Sequence, residues 1–248
     1  MRSLEFHPLK VVITGATRGL GRAMANELVQ LGNTVFGCAR TQGQIGELSR
    51  AYPKHDFQVV DVASDAEVGA WARRLTDKHG PPDLVLNNAA ILNLKAWLWE
   101  VGDREFSYEI DTNIKGVVNV IRHFTPSMIR RGGGVIVNFT SRWGQRVQEQ
   151  MAPYCATKWA VVAITKALAK ELGPKGIAVV GLNPGVVRTE MLHRYLGDNA
   201  AAGASYYPTP SEWAKIAVPF ILRFGLKDTG KLRSVISLRE GSRFTRVA

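Results

Sequence analysis

Tyr154 and Lys158 stand four residues apart in the segment APYCATKWA. Inside a helix, that spacing puts both side chains on one face. A free tyrosine, with a pKa of about 10, exchanges protons poorly near neutral pH. A neighbouring ammonium favours the phenolate and lowers that pKa. The pair can then act as acid or base on a carbonyl or an alcohol. The competing reading is a buried tyrosine beside a surface lysine. Cys155 follows Tyr154 directly, but one helical residue turns it about 100° away, so core packing is expected rather than a nucleophile.

A second set of residues suits a phosphate. The first apolar run leads into TGATRGLG, residues 14–21. Gly15, Gly19 and Gly21 permit a tight turn and close backbone approach to a pyrophosphate. Thr17, Arg18 and Leu20 belong to the same loop. A helix opening there aims its N-terminal N–H groups at the anion. The second apolar run ends at Cys38-Ala39-Arg40, without the acid that bonds a ribose 2′-hydroxyl in NAD-preferring folds. Arg18 and Arg40 instead suit a 2′-phosphate, because a guanidinium matches phosphate geometry. NADP(H) is the expected cofactor; two solvated surface arginines are the alternative.

These groups need a scaffold. Six short, β-branched runs read as buried strands: Leu9–Ile13, Thr34–Cys38, Phe57–Val60, Leu84–Leu86, Val135–Phe139 and Ala178–Leu182. They alternate little, as strands covered on both faces do. Helical patterns lie near 19–31, 65–79, 103–131 and 154–172. Ser64 and Glu67 form a capping box that starts the second of these. Gly132-Gly133-Gly134 closes the third, and Gly173-Pro174 the fourth. The rhythm predicts an α/β fold: a Rossmann-like, doubly wound parallel sheet with helices on both faces. Residues 1–248 are expected to be one dinucleotide-binding and catalytic domain, with a substrate loop at about 189–210. Within that loop, the Gly/Ala-rich segment 197–204 reads as mobile.

Composition narrows the function classes. The 248 residues are 46% hydrophobic and 21% charged, which disfavours disorder. No run approaches the roughly 18 apolar residues of a membrane span. The start, MRSLEFHPLK, lacks a signal-peptide core. Cys38 and Cys155 are the two cysteines, too few for a thiolate zinc site or a disulfide framework. His7, His55, His79 and His123 show no ligand spacing, so no metal is expected. The cysteine content makes a cytoplasmic setting the default, with an organelle open. The net charge of +11 raises nucleic acid as a partner. Residues 223–248 hold seven basic side chains against Asp228 and Glu240. Without a recognition motif, that end reads as solvated, and neither nucleic acid nor membrane is expected as partner.

TGATRGLG, Asp61-Val62, NNAA at 87–90, Asn113, Ser141, YCATK at 154–158 and LNPGVVRT at 182–189 occur in this order. Together they resemble the short-chain dehydrogenase/reductases over roughly residues 9 to 191. Ser141 precedes Tyr154 by 13 residues, the separation expected in that family. The resemblance implies Tyr154 as general acid in reduction. Lys158 would tune Tyr154 and hold the nicotinamide ribose, and Ser141 would orient the substrate carbonyl. Asn113 would hold a water that relays protons to Lys158. Asp61 would bond the adenine, with Val62 packed beside it, and Asn87 and the Ala89 backbone would line the cofactor cleft. Pro184 and Gly185 would shape the backbone where Val187 and Thr189 meet the carboxamide. The partner implied is a small-molecule carbonyl substrate, and the assembly a homodimer or homotetramer.

The sequence also departs from that pattern. Ala90 stands where the family usually has glycine, and must tolerate that glycine's backbone. Thr140 replaces a frequent serine. The ending GKLRSVISLREGS lacks Asp-Gly-Gly, which puts the tetramer contact in doubt, though not the long-helix dimer contact. Within the family, LWEV at 98–101, DTNIKGVVNVIRHFTPSM at 111–128 and SRWG at 141–144 resemble plant-type NADPH-dependent pterin aldehyde reductases. A flat heteroaromatic substrate needs stacking surface, and Trp143 is placed to supply it. Trp97, Trp99, Tyr195, Tyr206, Tyr207 and His193 are weaker candidates. The expected activity is therefore NADPH-dependent reduction of an aldehyde or ketone, a pterin aldehyde among the candidates. The rivals are a broad-specificity carbonyl reductase or alcohol dehydrogenase, and a non-catalytic NADP-binding regulatory protein.

Overall fold

The computed structural model describes residues 8–197 and 205–235. The centre of the Gly/Ala segment and the basic residues Arg239, Arg243 and Arg246 lie outside the described residues. Strands β1 (Lys10–Thr14), β2 (Thr34–Ala39), β3 (Asp56–Val59), β4 (Leu84–Asn87), β5 (Gly134–Phe139), β6 (Ile177–Asn183) and β7 (Leu232–Ser234) form one parallel sheet. Its order is β3-β2-β1-β4-β5-β6-β7, the doubly wound arrangement expected from the alternating pattern. The strand order reverses between β1 and β4, which pair through Val11–Leu84, Val12–Val85 and Ile13–Leu86. A crevice opens beyond the strand ends at such a switch point.

The α-helices among the described residues are α1 (Gly19–Gln30), α2 (Gln42–Ala51), α3 (Asp65–His79), α4 (Asp103–Ile110), α5 (Gly116–Arg131), α6 (Ala152–Leu172), α7 (Glu190–Leu196) and α8 (Pro210–Ile221). Val11 and Ile13 of β1 pack on one side with α1, α2 and α8. Val12, between them in the chain, packs on the other side with α3, α5 and α6. Alternation puts successive side chains on opposite faces, and both faces are covered, so the run is apolar throughout. In the second layer Trp71 of α3 meets Phe124 of α5 edge-on, with ring centroids 5.2 Å apart. Such a pair contributes about 0.5–1.5 kcal/mol beyond its burial.

Three local expectations change. Helix α2 has no counterpart among the expected helices; its sequence QGQIGELSRA buries only Ile45 and Leu48, too few for a periodic signal. The capping box at Ser64 is half formed. Ser64 Oγ accepts from the Glu67 N–H, but the Glu67 carboxylate accepts from the Asp61 N–H at 2.9 Å. The long helix expected over 103–131 is two helices joined by a π-turn at Asp111–Lys115. Gly132, at φ 81°, ends α5 where the glycine run predicts. Ala90 has no left-handed backbone: Gln150 alone among the described non-glycine residues has a positive φ. The alanine is therefore accommodated without strain.

No helix of the described residues is long and apolar enough to cross a membrane.

Candidate active site

A cleft of about 430 Å³ opens at the switch point. Its walls come from the β1–α1 loop, the ends of β2 and β3, the segment after β4, and the segment running from β6 into α7. The ends of β1 and β4 are pinned together. Thr14 Oγ1 accepts from the N–H groups of Asn88 and Ala89, both at 3.0 Å. Asn88 Nδ2 donates to the Thr14 carbonyl at 2.9 Å.

In the glycine loop, Gly15 and Gly19 have φ of 69° and 54°, conformations that favour glycine. Gly21 serves a different need: a Cβ there would lie 2.0 Å from the Gly15 carbonyl oxygen. Helix α1 starts from Arg18, and no side chain caps its first-turn N–H groups. Free N–H groups at a helix start, beside glycines that let the backbone come close, fit a pyrophosphate. Arg18, Arg40, Thr41 and Gln44 line the adjoining end of the cleft, and no carboxylate follows β2 there. The residues thus fit a dinucleotide, with cations where a 2′-phosphate would lie. Arg40 rests over the Tyr108 ring at 5.2 Å. Arg18 reaches across the cleft to Glu190, with Nη1 2.5 Å from Oε2.

At the opposite, closed end the side chains of Tyr154 and Lys158 are buried. Tyr154 is 7% exposed and Lys158 4%, so the i,i+4 pair is buried on both members, unlike a surface lysine beside a core tyrosine. Lys158 Nζ lies 5.5 Å from the Tyr154 ring centroid and donates to the Phe139 carbonyl at 2.8 Å. Ser141 shares a hydrogen bond with Tyr154, and its Oγ accepts from the Trp143 N–H at 3.2 Å. The short turn Arg142–Gly144 that carries Trp143 lies directly on α6. A Cβ on Gly144 would come within 2.8 Å of the Lys158 carbonyl oxygen, so only glycine allows that approach. Trp143 stands edge-on to Tyr154 at 5.9 Å and meets Tyr195 at 5.0 Å. Lys95 Nζ sits 4.2 Å over the Tyr195 ring.

Burial dominates the proton chemistry. It pushes the Tyr154 phenol well above its usual value; the charge of Glu109 adds to this, and the Ser141 hydrogen bond opposes it. Burial lowers Lys158 to about 8, with Glu109 holding it up. The expected depression of Tyr154 by Lys158 is thus not found. The ammonium is itself desolvated and bonded to Phe139, and the phenol stays firmly protonated. Glu109 is raised to about 7 by burial. Burial also raises the thiol of Cys155, which packs with Leu92 and Met151.

Asn113 sits in the π-turn, where one extra residue per turn is common at functional sites. Its Oδ1 accepts from the Ile91 N–H at 2.8 Å, and its Nδ2 donates to the Ile91 carbonyl at 2.9 Å. The same Nδ2 donates to Thr157 Oγ1 at 3.1 Å. Asn113 therefore ties the segment after β4 to α6 between Tyr154 and Lys158.

Most residues singled out in the sequence meet at this cleft. Gly15, Thr17, Arg18, Gly19, Leu20 and Arg40 line it at the phosphate end, and Asp61, Val62, Ala89, Tyr154, Lys158, Pro184 and Thr189 line it further along. Asn87 is a correction. It is buried beneath the wall, where its Nδ2 donates to Asn138 Oδ1 at 2.8 Å; its neighbour Asn88 faces the cleft, because successive strand residues alternate. Gly21, Asn113, Ser141, Trp143, Gly185 and Val187 also lie off the wall; Ser141 and Trp143 adjoin Tyr154, which lines it. Gly185, at φ 76°, turns the chain after β6, and Val187 packs into the core. Sequence reasoning missed Asn88, Asn119 and Glu109. Asn119 donates to the Val62 carbonyl at 2.9 Å, fixing that wall from α5. Among the described residues, no group of three or more His, Cys, Asp or Glu is placed to hold a metal ion.

Known proteins share this construction. A family model described as short chain dehydrogenase matches residues 9–199. The chain is 44% identical to an NADPH-dependent pterin aldehyde reductase of Arabidopsis thaliana, over 89% of this chain and 90% of that one. It is 36% identical to the human L-xylulose reductase, over 73% of each. Among solved structures, a gluconate 5-dehydrogenase from Burkholderia cenocepacia in complex with NADP and tartrate superposes with a TM-score of 0.82. That match has 28% identity and covers 92% of this chain and 94% of the other. The family match spans most of the sequence and includes both ends of the cleft, so the chain belongs to the short-chain dehydrogenases, oxidoreductases that act on alcohol and carbonyl groups.

Proposed function

We propose that this chain is an NADPH-dependent reductase of a small, flat carbonyl compound, with a pterin aldehyde as its substrate class. The observation that carries the reading is the convergence at the closed end of the cleft. A protonated phenol, a hydroxyl bonded to it and an indole edge-on to its ring meet at Tyr154, Ser141 and Trp143. The 44% identity to a pterin aldehyde reductase supports the same substrate class. The TGATRGLG loop and α1 would hold the pyrophosphate, and Arg18 and Arg40 the 2′-phosphate. Asp61 and Val62 would flank the adenine. Pro184 and Thr189 would line the nicotinamide end, where Gly185 turns the chain. When bound, the dinucleotide supplies a hydride.

The chain's own residues do the rest. Ser141 Oγ donates to the substrate carbonyl oxygen and orients it. Tyr154 Oη gives its proton to the same oxygen as negative charge develops there. The Lys158 ammonium holds the ribose and stabilises Tyr154 once it has lost its proton. Asn113 locks the path between Lys158 and solvent, along which a water relay would run. Trp143 and Tyr195 form an aromatic wall that suits a heteroaromatic ring. The segment 189–210 acts as a substrate loop on one catalytic domain spanning residues 1–248. The chain works as a homodimer or homotetramer in the cytoplasm.

The test is NADPH oxidation by the purified protein with 6-formylpterin and a panel of aliphatic and sugar carbonyls. Preferred turnover of 6-formylpterin is expected. Equal turnover across the panel would favour a broad-specificity carbonyl reductase. NADPH binding without turnover of any carbonyl would overturn the reading.

A further inference from the structure

Helix α4 carries a buried acid that the reaction above does not use. Glu109 is 1% exposed and is the one buried residue of that helix. It lies one helical turn before Asn113, and its Oε1 is 3.5 Å from Asn113 Nδ2. Its Oε2 is buried with no hydrogen-bond partner. Among the described residues it forms no ion pair. Here α4 packs against α6, which carries Tyr154 and Lys158. A carboxylate is costly to bury without a full set of partners, and an apolar side chain would fill this position at lower cost. Packing therefore does not account for an acid here.

We propose that Glu109 is a positioning residue of the proton-transfer site: buried beside Asn113 and against α6, it supplies the negative charge that keeps Lys158 and Tyr154 protonated. The proposal rests on the assignment of Tyr154 as proton donor. A fixed negative charge in a poorly hydrated site raises the proton affinity of every neighbour. The groups that face Glu109 come from three elements. Glu105 on α4 disfavours its charge, Lys158 on α6 favours it, and the Asn93 backbone hydrogen-bonds to it. Tyr154 and Cys155 on α6 are in turn raised by it. With its own pKa near 7, Glu109 gains charge as pH rises toward the region where Lys158 loses its proton. The carboxylate thus extends the range over which reduction proceeds.

Glu109→Gln keeps the shape but removes the charge. The alkaline limb of the kcat/KM profile for 6-formylpterin reduction should move to lower pH by about half a unit, roughly a threefold loss of proton affinity. The affinity for NADPH should stay unchanged. A residue that only fills space predicts a Gln profile superposed on wild type, and that result overturns the proposal. If Glu109→Gln does not fold, difference infrared spectroscopy of the wild-type protein tests the same point. It should show a protonated carboxyl band that titrates near neutral pH and is perturbed by Tyr154→Phe; a band insensitive to that change overturns the proposal. Tyr154→Phe assayed in parallel separates the two ideas. Retained activity in that variant refutes the proton-donor assignment itself. Lost activity there, with an unshifted Glu109→Gln profile, refutes only the role of Glu109.

Discussion

At the open end of the cleft, Arg18 and Glu190 have side chains 54% and 62% exposed. At the closed end, Lys158 and Glu109 are 4% and 1% exposed. Both ends hold cations beside acids, yet the physics differs. Exposed charges are screened by water and salt, so an ion pair there contributes between zero and about 1 kcal/mol. Buried charges act on one another at low effective dielectric and shift proton affinities. The open end is suited to binding and releasing an anionic ligand. The closed end is suited to fixing where a proton resides.

The largest effect belongs to the closed end. Tyr154→Phe removes the proton donor and leaves the glycine loop untouched. It should lower kcat by at least about 10²-fold while NADPH still binds, as fluorescence titration would report. A kcat near wild type, with chemistry rate-limiting, would show that the closed end is merely a packed core.

Proton occupancy at Lys158 comes next. Its pKa sits at about 8, so the ammonium is present below that pH and is lost above it. Reductive kcat/KM should therefore fall by about tenfold per pH unit on the alkaline side. Folding stability should respond with the opposite sign. Between about 8 and the ordinary lysine value near 10.5, the unfolded chain binds more protons than the folded one. This residue's contribution to stability thus rises with pH across that window. Parallel loss of activity and of thermal midpoint would mean that unfolding, and not Lys158, sets the limb.

The open end should respond to charge and not to pH. Arg40→Ala should raise KM for NADPH far more than for NADH, because only NADPH carries the 2′-phosphate. The loss of one charge-assisted contact is roughly 1.5–3 kcal/mol, or about 10- to 150-fold. Equal changes for both cofactors would show that Arg40 serves only to cover Tyr108.

The two ends were not equally legible in the sequence. TGATRGLG exposes its purpose because glycines at these spacings have few other uses, and Gly15 and Gly21 are indeed in contact. The Tyr154–Lys158 spacing is readable because a helix converts it directly into one face. The six strands were legible as apolar runs because both sheet faces are covered. Glu109 was not legible, since the helical pattern over 103–131 does not say which of its acids α6 will cover. The π-turn left no trace either, because one extra backbone residue changes no composition. Asn87 and Asn88 are chemically identical, and only the register of β4 decides which faces the cleft. The Arg18–Glu190 contact joins residues far apart in the chain, which no local pattern could pair.

That contact provides the finest test of the contrast. Arg18 is assigned to the 2′-phosphate, yet its guanidinium rests on the Glu190 carboxylate. A phosphate arriving at the open end must therefore compete with Glu190 for the same donor. Because both side chains are exposed, breaking the pair costs no more than about 1 kcal/mol. Glu190→Gln should then lower KM for NADPH by no more than about fivefold, most visibly at low salt where the pair is least screened. The change leaves Thr189, whose Oγ1 caps α7 by accepting from the Leu192 N–H, in place, so the helix should persist. KM for NADH should not move, because that cofactor has no phosphate to compete. An equal gain for NADH would mean that Glu190 acts on the whole entrance of the cleft. A tenfold or larger effect would mean that the open end holds its charges as tightly as the closed end, and the contrast between the two would fail.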